Sequence, residues 1–211
     1  TVAYQEGKPV AIKSIVLSTQ HTEDTSLDEV KKLVMESLIT ACIPDDLLTP
    51  ETQYWVNPSG TFVRGGPSAD CGLTGRKLMV DTYGGFALHG GGAFSGKDST
   101  KVDRTAAYMA RFVAKHVVAS GMASRCEICL AYAIGVEKPV MIEIDTFGTE
   151  QVPRDEILSQ IKRVFDFTPE GMIQTLNLRS PIFLPTATFG HFGREEESFT
   201  WEALTKLGDM Q

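Results

Sequence analysis

Cysteine is scarce. Cys42, Cys71, Cys126 and Cys129 are the whole supply in 211 residues, too few and too scattered for a disulfide framework in a chain of this length. No apolar run approaches the roughly 18 residues that mark a membrane-spanning helix, so no membrane role is expected. Positive charge is in deficit: 20 Lys and Arg face 27 Asp and Glu, for a net charge of −7. That leaves no broad basic surface for nucleic acid. Histidine is rare, with four in the chain, and neither an HEXXH zinc pattern nor a defensible Ser-His-Asp spacing occurs. Cys126-Glu127-Ile128-Cys129 has the spacing of a redox or zinc pair. On a strand, however, positions three apart point to opposite faces, and no second ligand pair follows at zinc spacing. Packing is the expected role of these cysteines.

Glycine and fixed charge, by contrast, are concentrated in one place. Residues 57–105 hold 11 of the 19 glycines, with six Lys or Arg against four Asp, a local balance of about +2 in an acidic chain. The densest part, residues 65–104, reads GGPSADCGLTGRKLMVDTYGGFALHGGGAFSGKDSTKVDR. Glycines let backbone N–H groups approach a ligand closely, and clustered Lys and Arg complement an anion. The stretch reads as a site for a polyphosphate.

The flanking sequence alternates strand pairs with amphipathic helices. Residues 1–4 and 11–19 are predicted strands around a turn at Gly7. A chain that opens directly into a hairpin is expected to be a fragment of a longer protein. Ser26 is a predicted N-cap, with Asp28 and Glu29 in the first turn. The helix is expected to carry Val30, Leu33, Val34, Leu38 and Ala41 inward and to stop at Pro44. Residues 52–56 and 77–82 are predicted strands, with 62–63 extended between them and a turn at 57–60. Thr100 is a predicted helix cap, paired with Asp103 in a capping-box pattern. Its helix runs to about Ser120, with Val102, Ala106, Met109, Ala110, Val113 and Val117 on the apolar face and Gly121 as the stop. Strands at 125–134 and 140–146 join around Gly135, and helices follow at 153–165 and 169–176. The charged tail, 194–211, is expected to be peripheral. The pattern predicts an α+β fold of two-layer sandwiches, antiparallel hairpins covered on one face by helices, used at least twice.

Within the Gly-rich stretch, Gly91–Asp98 comes close to the P-loop GxxxxGK[ST]. Asp98 stands where a hydroxyl would bind Mg²⁺, and an acidic group there would repel phosphate. A different anion loop feeding the next helix fits better. Arg76-Lys77 on one loop and Lys97 with Lys101, four residues apart, on another form the sharper signal, because paired cations can clamp a triphosphate. Solvated surface lysine is the competing reading for each alone. Asp70 and Asp103 could meet a metal or a ligand amine, or serve as turn and helix-start residues. Phe62 could stack on a base or belong to a core.

On these residues the chain resembles S-adenosylmethionine synthetase (methionine adenosyltransferase). The motifs that carry the resemblance are GGPSADCGLTGRK at 65–77, VDTYGG at 80–85, HGGGAFSGKDSTKVDR at 89–104, YAIGV at 132–136 and GHFGRE at 190–195. They cover almost the whole chain. The resemblance implies three intertwined β-α-β-β-α-β repeats, of which this chain holds about two. It divides the chain into a partial central domain, 1–66, and a C-terminal domain, 67–211. It also implies a cytoplasmic homodimer or tetramer with the active site between subunits. The implied reaction joins L-methionine to C5′ of ATP with Mg²⁺ and K⁺, releasing triphosphate that is then hydrolysed to pyrophosphate and phosphate.

Carried over position by position, Arg76, Lys77, Lys97 and Lys101 fall on the polyphosphate-binding cations. Lys101 also lies near methionine. Asp70 falls on an Asp near adenosine and methionine, Asp103 on a carboxylate near Mg²⁺ and phosphate. Ser59, Gly60, Thr61 and Phe62 match the segment that contacts the ATP base, and Ala93 matches a further nucleotide contact. Thr61 stands where Arg or a similar residue is common. The family's His-Pro-Asp-Lys motif, with a catalytic His and a metal-binding Asp, is absent, as are its mobile Gly-rich loop and a lysine expected just before Thr1. The 211 residues are therefore expected to hold an incomplete site. A P-loop-like nucleoside triphosphatase and a noncatalytic dimerisation or scaffold fragment are the rival readings.

Overall fold

The computed structural model describes residues 1–210. It divides into two units, Thr1–Gly72 and Leu73–Gln211.

The first unit begins with a hairpin of β1 (Val2–Gln5) and β2 (Lys8–Ile12), antiparallel with Val2 opposite Ile12. Only Glu6 and Gly7 join them, both at positive φ (50° and 77°), the backbone a two-residue hairpin needs. The single strand expected over 11–19 is broken in two. At Lys13 the chain changes partners: its N–H donates to the Thr1 carbonyl, and its own carbonyl accepts from Gln53 N. β3 (Ser14–Leu17) then pairs in parallel with β4 (Gln53–Val56), Ile15 opposite Tyr54 and Leu17 opposite Val56. The expected antiparallel pairing is thus corrected here. A helical crossover between the strands returns the chain to its starting edge, so the second strand must run the same way.

That crossover starts at α1 (Leu27–Val34), where Ser26 caps Glu29 N and Glu29 caps Ser26 N in a complete capping box. A π-type segment, Met35–Ile39, follows, then α2 (Thr40–Cys42). The wider turn shifts every later side chain by about one residue, or 100°. It explains why the expected stripe changes phase: Val30 and Val34 are buried, Leu38 is 43% exposed, and Ile39 takes its place at 4%. Leu33 also faces out, at 64%. Val30, Val34 and Ile39 pack on Ile15, Leu17, Tyr54 and Val56.

In the second unit, residues 78–81 form a helical turn, α3 (Leu78–Asp81), not the expected strand. Leu and Met favour helix over strand, and among the described residues no strand pairs with them. Asp81 N bonds Lys77 O, and the Thr82 hydroxyl bonds Leu78 O. The long α4 (Val102–Ala119) ends at Ser120, with Gly121 at φ 80°, as the sequence predicts. Its apolar face is wider than predicted: Thr105, Tyr108, Phe112 and His116 are buried along with Ala106, Met109, Val113 and Val117. β5 (Glu127–Ala131) and β6 (Met141–Asp145) pair antiparallel, Ile128 opposite Ile144 and Leu130 opposite Ile142. Those four residues face the core, together with Cys126. Cys129 lies on the outer face and is exposed, and all four cysteines are free.

α5 (Arg154–Val164) sends Ile157 and Ile161 inward, and α6 (Pro169–Thr175), capped by Thr168, buries Met172 and Ile173. The tail is not peripheral. Phe199, Trp201 and Met210 are fully buried on short 3₁₀ turns or beside them, each side chain worth roughly 1.5–3 kcal/mol or more in transfer from water. Charged neighbours hid these three anchors in the sequence. One of those charges, Glu202, is itself buried against Arg111 and Lys115 of α4.

Candidate functional site

In the first unit, the predicted base-contact segment leaves β4 through a turn. Asn57, at φ 43°, is buried, and its side chain brackets Thr19 by accepting from its N–H at 2.8 Å and donating to its carbonyl at 2.9 Å. Gly60 N closes the turn on Asn57 O. Ser59, Gly60 and Thr61 precede Phe62, which is 38% exposed. Residues 62–63 form no strand, contrary to expectation. They are tied to the segment after β3 instead: Phe62 N donates to His21 Nε2, His21 N donates to Phe62 O, and Gln20 Nε2 donates to Val63 O. A Cβ on Gly65 would fall 2.5 Å from the Gln20 amide oxygen, so a larger residue there would displace the Gln20 side chain. Asp70 is exposed, and its Oδ1 accepts from Gly72 N at 2.9 Å, so it closes a tight turn.

The second unit gathers the remaining predicted residues on adjoining loops. Arg76 and Lys77 are exposed and stand just before α3, with Lys77 Nζ bonded to Arg76 O. A Cβ on Gly75 would meet Ala93 Cβ at 3.0 Å, and one on Gly96 would lie 3.8 Å from Thr74. The 74–75 and 93–96 segments therefore lie side by side. Lys97 Nζ reaches Asp103 Oδ2 at 2.8 Å, and the Asp103 carboxylate fills the space where a Cβ on Gly92 would stand, 2.3–2.7 Å away. Lys101 Nζ lies 3.1 Å from the Thr100 hydroxyl and 3.5 Å from Asp98.

Two local expectations are corrected here. Thr100 is not the cap of α4: Lys101 holds the cap position without a side-chain bond. Thr100 instead gives its N–H and its hydroxyl to Asp98. Those bonds from Thr100, the hydroxyl first, hold the Asp98 carboxyl down at about 2. Asp98 is thus a committed turn-former. The helix begins at Val102, five residues past Lys97, and no strand feeds the loop. A P-loop needs that strand and a helix opening on its Lys.

Beneath the loop lies an anchor that the sequence reading missed. Phe94 is buried edge-on against Tyr108, His191 and Phe192. Arg104, 4% exposed, donates from Nη1 to the Lys97 carbonyl at 2.9 Å and from Nε to the Tyr108 hydroxyl at 3.0 Å. Its guanidinium sits 3.8 Å over the Phe183 ring. Tyr108 stacks on Trp201, and the Trp201 indole donates to the His191 carbonyl at 2.7 Å. His191 N donates to Asp81 O at 2.9 Å, and Gly190 passes so close to Val80 O that a Cβ would lie 3.0 Å from it. Burial first, then Arg104 and Arg194, push the His191 imidazole down to about 4. The sequence signal was a histidine flanked by glycine in a chain with four histidines, but nothing in its spacing tied it to Tyr108, 83 residues away.

For a divalent metal, Asp103 offers one oxygen not engaged by Lys97, on a half-exposed side chain. Among the described residues no three His, Cys, Asp or Glu side chains converge. That fits Mg²⁺, which commonly takes one or two carboxylates and completes its shell with phosphate and water. It does not make an all-protein metal cage.

A family model for the S-adenosylmethionine synthetase central domain matches residues 1–62, and one for the S-adenosylmethionine synthetase C-terminal domain matches residues 64–203. The chain is 56% identical over all 211 residues to a protein named S-adenosylmethionine synthase from Clostridium botulinum (strain Alaska E43 / Type E3), and it covers 54% of that relative. It thus spans about half the length of the curated relative it matches. No helix among the described residues is long and apolar enough to cross a membrane. With its α+β units and two matching domain models, the chain belongs to the S-adenosylmethionine synthetase family.

Proposed function

We propose that these residues form the triphosphate-holding part of a site that makes S-adenosylmethionine from ATP and L-methionine. The observation that carries the reading is Lys97, held 2.8 Å from Asp103 on a Gly-rich loop packed against the Thr74-Gly75 turn beside Arg76-Lys77. When methionine sulfur attacks C5′ of ATP, negative charge develops on the departing triphosphate. Fixed cations stabilise such charge without reorganising. A thioether sulfur has no proton to lose, so the step needs alignment and charge, not a general base. Lys97, Lys101, Arg76 and Lys77 take the phosphoryl oxygens. Asp70 and Lys101 orient methionine, and Ser59, Gly60, Thr61, Phe62 and Ala93 contact the nucleoside. Asp103 is the Mg²⁺ ligand, and bound Mg²⁺ neutralises triphosphate charge. K⁺ is the second cofactor in this reading, and the released triphosphate goes on to pyrophosphate and phosphate.

We assign 1–66 to the central domain and 67–211 to the C-terminal domain, and place the enzyme in the cytoplasm as a homodimer or tetramer with the site between subunits. The 211 residues contain no His-Pro-Asp-Lys motif, so alone they are expected to make no product; measurable S-adenosylmethionine would overturn that. Joined to a segment carrying the motif, the protein should release phosphate and pyrophosphate from ATP only when methionine is present. Lys97→Ala and Lys101→Ala should each lower turnover by roughly tenfold or more. Phosphate release without methionine would identify a plain triphosphatase, and no turnover at all would identify a scaffold.

A further inference from the structure

We infer that the Tyr108 hydroxyl is a positioning group for Lys97, setting the loop that carries it through Arg104 on one side and His191 on the other. The inference rests on the reading of Lys97 as a phosphate ligand.

The hydroxyl has one hydrogen. It accepts from Arg104 Nε at 3.0 Å and shares a second hydrogen bond, 2.6 Å long, with His191 Nδ1. The other ring nitrogen, Nε2, lies 3.5 Å from the Ser95 hydroxyl. Arg104 and His191 thus reach the same loop at two points, the Lys97 carbonyl and Ser95. Phe94, next to Ser95 in sequence, wedges its ring against Tyr108 and His191.

Every part of this chain is out of water: Arg104 is 4% exposed, and Tyr108 and His191 are at 0%. Arg104 has no carboxylate partner among the described residues. Its charge is met by the Lys97 carbonyl, the Tyr108 and Thr186 hydroxyls and the Phe183 ring. Burying a guanidinium without an anion is costly, and apolar packing would serve a purely structural purpose better. What the arrangement adds is direction. One N–H of a guanidinium whose other donors are fixed on Tyr108 and Thr186 holds the backbone of the residue whose amine faces Asp103. The Tyr108 ring is already fixed by its stack on Trp201, at 3.8 Å between centroids, so the hydroxyl is held from beneath.

The test is calorimetric binding of Mg²⁺-loaded inorganic tripolyphosphate to the whole chain. Tyr108→Phe keeps the stacked ring and removes only the hydroxyl. It should weaken affinity roughly tenfold, through misplacement of Lys97. Ile157→Val, in the core on α5, lowers stability without touching the loop and should leave affinity within about twofold. If Tyr108→Phe fails to fold, Arg104→Lys, which keeps the charge and loses the fork, is read the same way. Wild-type affinity in Lys97→Ala would overturn the phosphate-ligand reading and the inference with it. Weakened binding in Lys97→Ala but wild-type binding in Tyr108→Phe would leave the ligand reading standing and overturn the positioning role alone.

Discussion

Lys97 Nζ and Asp103 Oδ2 stand 2.8 Å apart across the turn that opens α4, over a glycine with no room for a methyl group. The pair is half-exposed, so it contributes little to stability. Its consequence is for binding: a phosphate that approaches Lys97 also meets a carboxylate. Without a divalent ion the carboxylate repels phosphate, and with one it can share the metal. Asp103→Asn should therefore strengthen tripolyphosphate binding in EDTA and weaken it in Mg²⁺, by a few-fold each way, roughly the reach of one partly screened charge. Titrations in the two buffers check the crossover, and a change of the same sign in both would remove Asp103 from the metal.

Gly92→Ala should disturb the same node from the backbone side. Its φ is not in the left-handed region, so the effect is steric: the new methyl would lie 2.3–2.7 Å from the Asp103 side chain. Forcing that group aside should cost about 1–3 kcal/mol and displace the partner of Lys97. A urea midpoint and a tripolyphosphate isotherm, measured together, should both shift.

Acid should destabilise the chain before its carboxylates titrate. His191 is held at about 4 by burial, against 6.5 for an exposed imidazole. Above 6.5 neither folded nor unfolded chain carries that proton, and stability is full. Between 6.5 and 4 the unfolded chain takes up a proton that the folded chain refuses. Stability therefore falls with pH and levels off below about 4, a total of roughly 3 kcal/mol. His116, also pushed down by burial, acts in the same direction. Urea unfolding at pH 7 and pH 4.5 should show the loss, and His191→Gln should flatten the slope.

Glu202 should be the costliest surface-looking charge to remove. Its carboxylate accepts from Arg111 at 3.0–3.1 Å, from Lys115 at 2.9 Å and from Gly193 N at 2.7 Å. Glu202→Ala leaves two cations facing each other in a largely dry setting and should cost about 3–5 kcal/mol. Denaturation in urea with and without 0.5 M salt, about five times the ionic strength at which surface pairs are already screened, checks this. A loss under about 1 kcal/mol would place the carboxylate in solvent.

Local chemistry in the sequence was enough for Ser26 with Glu29, for Gly121 after α4, and for the opposite faces of Cys126 and Cys129, because each depends on neighbours within a turn or a pleat. The motifs at 65–77 and 89–104 were enough for the family. Long-range partners were not legible. The strand that breaks at Lys13 does so because Thr1 and Gln53 claim its two sides. Residues 78–81 read as a strand with Leu78 and Val80 on one face, and form a helical turn because, among the described residues, no strand pairs with them. Leu38 gives way to Ile39 because a π turn rotates the helix, which a 3.6-residue period does not reveal. The residues around the predicted clamp divide along the same line. Lys97, Lys101, Arg76 and Asp103 stand out as charges among glycines. Arg104, Tyr108 and His191 do not, because they meet only when His191, and Trp201 in a tail that reads as charged surface, fold back onto α4. Sequence determined which groups this chain offers a phosphate; tertiary packing, through buried hydrogen bonds between distant residues, decided what holds them in place.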